Sequence, residues 1–188
     1  MLEYEKKAML SREEYEVLAD KCINLRLDAQ INYYFDTDDF VMNSKGITCR
    51  IRAKGGKYKA TIKKHSNNSS NCSVEEQLYY KTELDTRVFD ALGLCYQGEL
   101  VTLRACIYRD DFCEIVLDKN MYLDYMDFEM EIEYRKDCEE NAIEAIKKAA
   151  ECLVKANLIS STDEFMLRIK KSKSKSKRFF ERKKKDRR

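Results

Sequence analysis

The chain has 188 residues, 44% hydrophobic, 37% charged and 11% aromatic, with a formal net charge of +2. So much apolar and aromatic material excludes a disordered chain and fits one domain. No run approaches the roughly 20 apolar residues that cross a bilayer. The opening Met1-Leu2-Glu3-Tyr4-Glu5 lacks the apolar core of a secretory leader, so a soluble cytoplasmic protein is expected. Eight cysteines stand singly with no CxxC, which fits a reduced chain using Cys as a small core residue. The one histidine, His65, falls in a polar stretch and gives little support to a zinc site or to His-assisted nucleophiles. No GxxxxGK[ST] loop occurs, so any chemistry rests on Glu, Asp, Lys and Arg. Residues 170–188 hold 12 Lys or Arg against 2 acidic residues, leaving an acidic body with a basic end. Such an end is either a solvated helix or a contact for nucleic acid, anionic lipid or polyphosphate.

The first ten residues alternate as a strand, with Glu3, Glu5 and Lys7 on one face and Leu2, Tyr4, Lys6 and Ala8 on the other. Ser11-Arg12-Glu13-Glu14 reads as a capping box, opening a helix whose apolar stripe is Tyr15, Leu18 and Cys22. Residues 29–36 form an aromatic-rich strand. Ile47–Lys54 and Lys57–Lys64 flank Gly55-Gly56, a pair that tolerates positive φ, and predict a hairpin. Its first arm sets Arg50 and Arg52 opposite Cys49, Ile51 and Ala53. The second sets Lys57, Lys59, Thr61 and Lys63 opposite Tyr58, Ala60 and Ile62. The Ser/Asn-rich stretch from His65 to Ser73 predicts a loop, Val74–Tyr80 a strand, and Leu84–Leu92 a short helix stopped by Gly93. Strands follow at Leu100–Tyr108, Phe112–Asp118 and Asp127–Tyr134. Asp137-Cys138-Glu139-Glu140 resembles a second capping box, opening a helix to about Asn157 whose stripe is Ile143, Ile146, Ala150, Leu153 and Val154. Ser161 caps a last helix with Phe165 and Ile169 inward.

Seven or eight strands with three or four helices make an α+β, mostly β, pattern. Strand after strand sets an apolar face against a densely charged one: Glu3/Glu5/Lys7, Arg50/Arg52, Lys59/Lys63, Arg104, Glu114/Asp118 and Glu129/Glu131/Glu133. An ordinary half-solvated sheet mixes Thr, Ser and Gln into its polar face. The amphipathic helices need the apolar faces, so the charged ones are left to line a closed or nearly closed barrel. Glu129, Glu131 and Glu133 project to one side at steps of about 7 Å and repel unless a cation neutralises them. Oxygen donors of this kind suit Mg²⁺ or Mn²⁺. The neighbouring Arg and Lys supply forks and point charges for a polyanion. Together they form the equipment of phosphoryl transfer. Each motif alone is an ordinary wet face; their agreement on separate strands is what points to function.

Leu2-Glu3-Tyr4-Glu5-Lys6-Lys7 resembles the N-terminal ExExK signature of the CYTH superfamily, the triphosphate tunnel metalloenzymes. Asn32–Thr37 resembles its YFDT strand, Cys49–Arg52 its LRIR element, Thr61–Lys64 its TxK element and Asp127–Glu133 its late acidic strand. Ser174–Phe179 resembles the SKxxRF ending of the Firmicutes-type bacterial branch. The resemblance implies an eight-stranded antiparallel closed barrel over residues 1–179, with helices outside and a basic tail at 180–188. It implies metal at Glu3, Glu5, Asp118, Glu129, Glu131 and Glu133, and phosphate contacts from Lys7, Arg50, Arg52, Lys63, Arg104, Lys175 and Arg178. Lys7, Glu5 and Asp118 are its catalytic candidates. The glutamate triplet lets the metal pair register on 129/131 or 131/133, and Lys59 shares the face of Lys63.

The activity implied is Mg²⁺- or Mn²⁺-dependent hydrolysis of a small-molecule triphosphate, inorganic tripolyphosphate first, with release of orthophosphate. Alternatives are a class IV adenylate cyclase, a thiamine triphosphatase and a non-catalytic polyphosphate or nucleotide binder. Neither membrane nor nucleic acid is expected as a partner, and a homodimer stays open. Lys175, in the basic segment, is expected to close over the tunnel when substrate binds.

Overall fold

Alternation of charged and apolar residues builds the molecule from strands that each own two unlike faces. The computed structural model describes residues 2–20, 27–65 and 72–186. In chain order the elements are β1 (Leu2–Leu10), α1 (Arg12–Ala19), β2 (Leu27–Asp36), α2 (Val41–Ser44), β3 (Ile47–Lys54), β4 (Lys57–His65) and β5 (Cys72–Lys81). There follow α3 (Arg87–Asp90), β6 (Cys95–Arg109), β7 (Cys113–Tyr122), β8 (Tyr125–Tyr134), α4 (Glu139–Lys155), α5 (Thr162–Lys171) and α6 (Lys175–Asp186). The eight strands pair antiparallel in the order β1-β5-β4-β3-β2-β6-β7-β8, and β1 has a neighbour on each side. Its pairing with β8 is long, from Tyr4↔Tyr134 to Leu10↔Phe128. Its pairing with β5 is short, from Leu2↔Val74 to Tyr4↔Cys72.

Helices α1, α4 and α5 cover the outer face of β1, β7 and β8. There Ala8, Leu10, Leu117, Met130 and Ile132 pack against Leu18, Ile146, Leu153 and Phe165. On the opposite flank Phe89 of α3 stacks on Phe35 at 4.7 Å, over Cys49, Ile51 and Ala60. Burying each large side chain contributes roughly 1.5–3 kcal/mol, which fixes the apolar faces outward under the helices and turns the charged faces inward. Lys6 lies on the apolar face, yet its stem is buried and its ammonium emerges at Glu139 of α4, 2.6 Å away.

Several local expectations change. The helix expected over 84–92 is only α3, because the Asp85 carboxylate accepts from the Arg87 backbone N–H and starts the turn there. Gly93, at φ +69°, still ends that turn. The second capping box does not form: Asp137 sits at φ +68°, and Cys138 at the N-cap makes no side-chain bond. The first box does form, with Ser11 and Glu14 bonded reciprocally. His65 closes β4 and Cys72 opens β5, so the strands take both ends of the expected loop; its centre and Cys22 lie outside the described residues. The basic end is also ordered into α6, which runs unbroken through the 179/180 boundary expected from the sequence.

α6 lies across one end of the strands. Phe179 and Phe180 are buried against Tyr34, Phe40, Leu100 and Tyr122. Gly98 permits this seat: a Cβ there would stand 2.9 Å from the Phe179 ring. The opposite end is an open mouth of about 740 Å³ bordered by Asp28, Lys54, Lys59, Arg109, Glu114 and Glu133. No helix among the described residues is long and apolar enough to cross a membrane.

Candidate active site

Between the sealed end and the open mouth lies an inner chamber of about 70 Å³ whose walls are of opposite charge. Arg50 and Arg52 of β3 and Lys63 of β4 reach it from one side, and Glu5 and Lys7 of β1 and Glu131 of β8 from the other. Arg104 of β6 and Lys175 at the start of α6 complete the lining, with Tyr34, Thr48 and Ser176 between them. Thr48 and Ser176 share a buried hydrogen bond of 2.8 Å that ties α6 to β3. The period-2 geometry of each strand does the placing: residues two apart on β1, β3 and β8 point to the same interior.

The acidic wall converges on three carboxylates. Asp118 of β7 and Glu129 and Glu131 of β8 each offer an oxygen, all within 4.8 Å of one another. Register explains the meeting, since Asp118 pairs with Glu129 across the two strands. Arg104 forks onto Asp118 at 2.8 and 2.7 Å and also bonds Glu131. Lys175 contacts all three, at 2.8 Å from Asp118, 2.9 Å from Glu131 and closely at Glu129. Arg178 clamps Glu129 at 2.8 Å and Asp127 at 2.9 Å. Burial opposes the charge on Glu129 and Glu131, but Lys175 and its cationic neighbours outweigh it, and both carboxyls lie below their ordinary range. The donors are ionised oxygens, which suits Mg²⁺ or Mn²⁺.

Lys7 stands between Glu5, at 3.1 Å, and Glu131, at 3.2 Å. Burial works against its charge, yet Glu131 and Glu5 raise its pKa above the usual lysine range. Lys63 approaches Glu5 at 3.7 Å. On the basic wall, Glu75 of β5 holds Arg50 at 2.7 Å and Lys59 at 2.8 Å. Burial disfavours the Glu75 carboxylate, but Arg50 and Lys59 bring it down to about 2. Arg52 is different. Its Nε donates to Asn32 Oδ1 at 2.9 Å, and no carboxylate among the described residues pairs with it. Burial, then Arg50 and Arg104, pull its guanidinium down to about 10.

Of the residues singled out in the sequence, Glu5, Lys7, Arg50, Arg52, Lys63, Arg104, Glu131, Glu133 and Lys175 all border the chamber. Asp118 and Glu129 lie fully buried behind it. Arg178 does not line the chamber; it is spent on Asp127 and Glu129. Glu133 stands apart from the trio, its side chain 54% exposed toward the mouth and its pKa raised by burial and by Glu131. The triplet therefore converges with Asp118 through Glu129 and Glu131. Lys63 lines the chamber, whereas Lys59 borders the mouth. Glu3 lies on β1, but its side chain is outside the described residues. Sequence reasoning missed Glu75, Asn32 and Asp127, which hold Arg50, Arg52 and Arg178 in place. The one available signal was their position on strands facing Arg50, Arg52 and Glu129.

Residues 1–163 match the CYTH domain model. The chain belongs to the CYTH domain family. Bacillus subtilis YjbK, provisionally named a triphosphatase, is 34% identical and is matched over 70% of this chain and 77% of its own. Among solved structures, a provisionally named adenylate cyclase from Bacillus halodurans superposes with TM-score 0.59 at 24% identity, covering 84% of this chain and 90% of its own. The Hippeastrum protein HpAC1, provisionally an adenylyl cyclase and described as having a dominant triphosphatase activity, gives TM-score 0.56 at 20% identity, covering 78% and 86%. At these identities the two structures share the fold.

Proposed function

We propose that this CYTH protein hydrolyses a linear triphosphate, inorganic tripolyphosphate foremost, to orthophosphate and pyrophosphate with Mg²⁺ or Mn²⁺ bound. The name of YjbK supports a triphosphatase, and the layout of charge supports the substrate. The observation that carries the reading is Arg52, a half-buried guanidinium between chamber and mouth with no carboxylate in contact among the described residues, facing a wall of clustered carboxylates. A cation partly withdrawn from water with no counter-charge in contact is costly, and a polyanion is what would satisfy it. In this reading the cyclic strand pairing serves as a closed tunnel entered from the open mouth. Lys54, Lys59 and Arg109 border that mouth beside Asp28, Glu114 and Glu133, and among the described residues no aromatic ring lines it to stack a planar base.

Arg50, Arg52 and Lys63 hold phosphoryl oxygens along one wall, with Arg104 forking from its seat on Asp118. Asp118, Glu129 and Glu131, with Glu5 at the chamber's β1 side and Glu3 two residues before it in the sequence, would hold the divalent ion, which would supply Lewis-acid neutralisation of the phosphoryl oxygens. Lys7, oriented by Glu5 and Glu131, bonds the reacting phosphoryl group, and Glu5 accepts a hydrogen bond from the attacking water. Water adds at the terminal phosphorus, the bridging P–O bond breaks, and the departing oxygen leaves as pyrophosphate. The thiols described are free, in keeping with a reduced cytoplasmic setting.

The test is orthophosphate release from tripolyphosphate with and without Mg²⁺ or Mn²⁺, for wild type, Glu5→Gln and Arg52→Gln, with ATP in parallel. Metal-dependent release that falls about 10²-fold or more in both variants is expected. Cyclic AMP and pyrophosphate from ATP, without release from tripolyphosphate, would replace the reading with a cyclase.

A further inference from the structure

We infer that Lys175 and a divalent cation compete for the same three carboxylates, so that a bound metal displaces the Lys175 ammonium into the phosphate chamber. The inference deepens the triphosphate reading and rests on it. Its ground is position. The Lys175 Nζ lies 2.8 Å from Asp118 and 2.9 Å from Glu131 and is also bonded to Glu129. These are the same three residues whose carboxylates each bring an oxygen within 4.8 Å of the others. A Mg²⁺-sized ion takes oxygens at about 2.0–2.1 Å, so an ion held by these three carboxylates would need the space that the ammonium now occupies. Two cations also repel strongly where water is excluded. They cannot share the trio.

Lys175 is the cation best able to yield. Arg104 is fixed by its two-pronged bond to Asp118, and Arg178 is anchored on Asp127 as well as Glu129. Lys175 has a single ammonium on a flexible stem and already borders the chamber beside Arg50, Arg52 and Lys63. Residues 172–174 just before it are not helical, while Phe179 and Phe180 pin the rest of α6. The movement is thus a swing of one side chain over a seated helix. Once displaced, the ammonium faces the polyphosphate, so metal and anion reinforce one another. Linkage makes that reinforcement mutual: the anion tightens the metal by the same factor. One lysine thereby protects the carboxylates from mutual repulsion and sets the order in which the two ligands help each other.

The experiment titrates Mn²⁺, read as the free-ion electron paramagnetic resonance signal, into full-length wild type, Lys175→Gln and Lys175→Arg, without and with tripolyphosphate. With the competing charge removed, Lys175→Gln should bind Mn²⁺ about tenfold tighter than wild type, while Lys175→Arg should bind no tighter. Tripolyphosphate should tighten Mn²⁺ in wild type more than in Lys175→Gln. Equal or weaker Mn²⁺ binding by Lys175→Gln overturns the inference and leaves the triphosphate reading standing. Mn²⁺ binding to neither protein overturns both. Because Lys175→Gln leaves buried carboxylates short of a cation, a second arm uses wild type labelled with ¹⁵N at lysine Nζ. Its Lys175 resonance, assigned by its loss in Lys175→Arg, should move on adding Mg²⁺ alone. A signal unchanged at saturating Mg²⁺ overturns the inference by itself.

Discussion

Glu75 does more for the basic wall than any residue the sequence marks out, since one buried carboxylate fixes both Arg50 and Lys59. Glu75 and Glu76 stand side by side, and alternation alone does not say which faces inward. A register shift between Ala60 and Thr61 on β4 then changes which β5 residue meets each lysine. Glu133 was illegible for another reason. Three glutamates on one strand look equivalent, but each two-residue step advances about 7 Å along the barrel and carries the third out to the mouth. Removing Glu75 strands Arg50 in a buried site, so Glu75→Gln should lose about 3 kcal/mol by denaturant unfolding at neutral pH. The pH dependence follows from the same pair. Folding lowers the Glu75 carboxyl from an ordinary 4.5 to about 2, so its contribution is full above 4.5 and fades as pH falls toward 2. The stability difference between wild type and Glu75→Gln should therefore shrink across that interval. A constant difference down to pH 2 would refute the assignment.

At the scale of elements, the hairpin of β3 and β4, the first capping box and the inward charged faces were readable because each follows from strictly local periodicity or turn chemistry. α6 was not. Its two adjacent phenylalanines in a strongly basic run make no helical stripe, and what seats them is a pocket assembled from β2, β6 and β7. β6 likewise begins at Cys95, well before its apolar run, because it pairs with β2 through a bulge at Tyr34/Phe35. Gly98 links the two elements. At φ +134° with the Phe179 ring 2.9 Å from a would-be Cβ, it suffers both backbone strain and overlap on substitution. Gly98→Ala should cost about 2–3 kcal/mol and raise hydrogen exchange across 175–186 before the rest of the barrel. Unaltered exchange in that segment would show that Phe179 is not the anchor of α6.

Over the whole molecule, the small net charge conceals a barrel whose interior sorts charge by wall, basic on β3 and β4 and acidic on β7 and β8. The family match and the fold agree with what the alternating faces imply, yet the strength of each interior charge depended on partners contributed by distant strands. Glu131 is answered by Lys7, Arg104 and Lys175, whereas at Arg52 the like charges of Arg50 and Arg104 outweigh the one opposing carboxylate, Glu75. In the triphosphate reading, such an arrangement stores repulsion in the folded protein that a bound anion would relieve. Arg52→Gln should relieve it and raise the melting temperature of the protein alone by a degree or more, the reverse of what most buried substitutions do. The same change should remove most of the stabilisation by tripolyphosphate. At a ligand concentration of 100 times Kd, wild type gains about 2.7 kcal/mol, equivalent to about 5–10 °C in a chain of this size. Melting curves with and without tripolyphosphate, at low and high salt, read both effects at once. If Arg52→Gln melts lower than wild type and still shifts as far with tripolyphosphate, Arg52 is a structural residue and the basic wall does not await an anion.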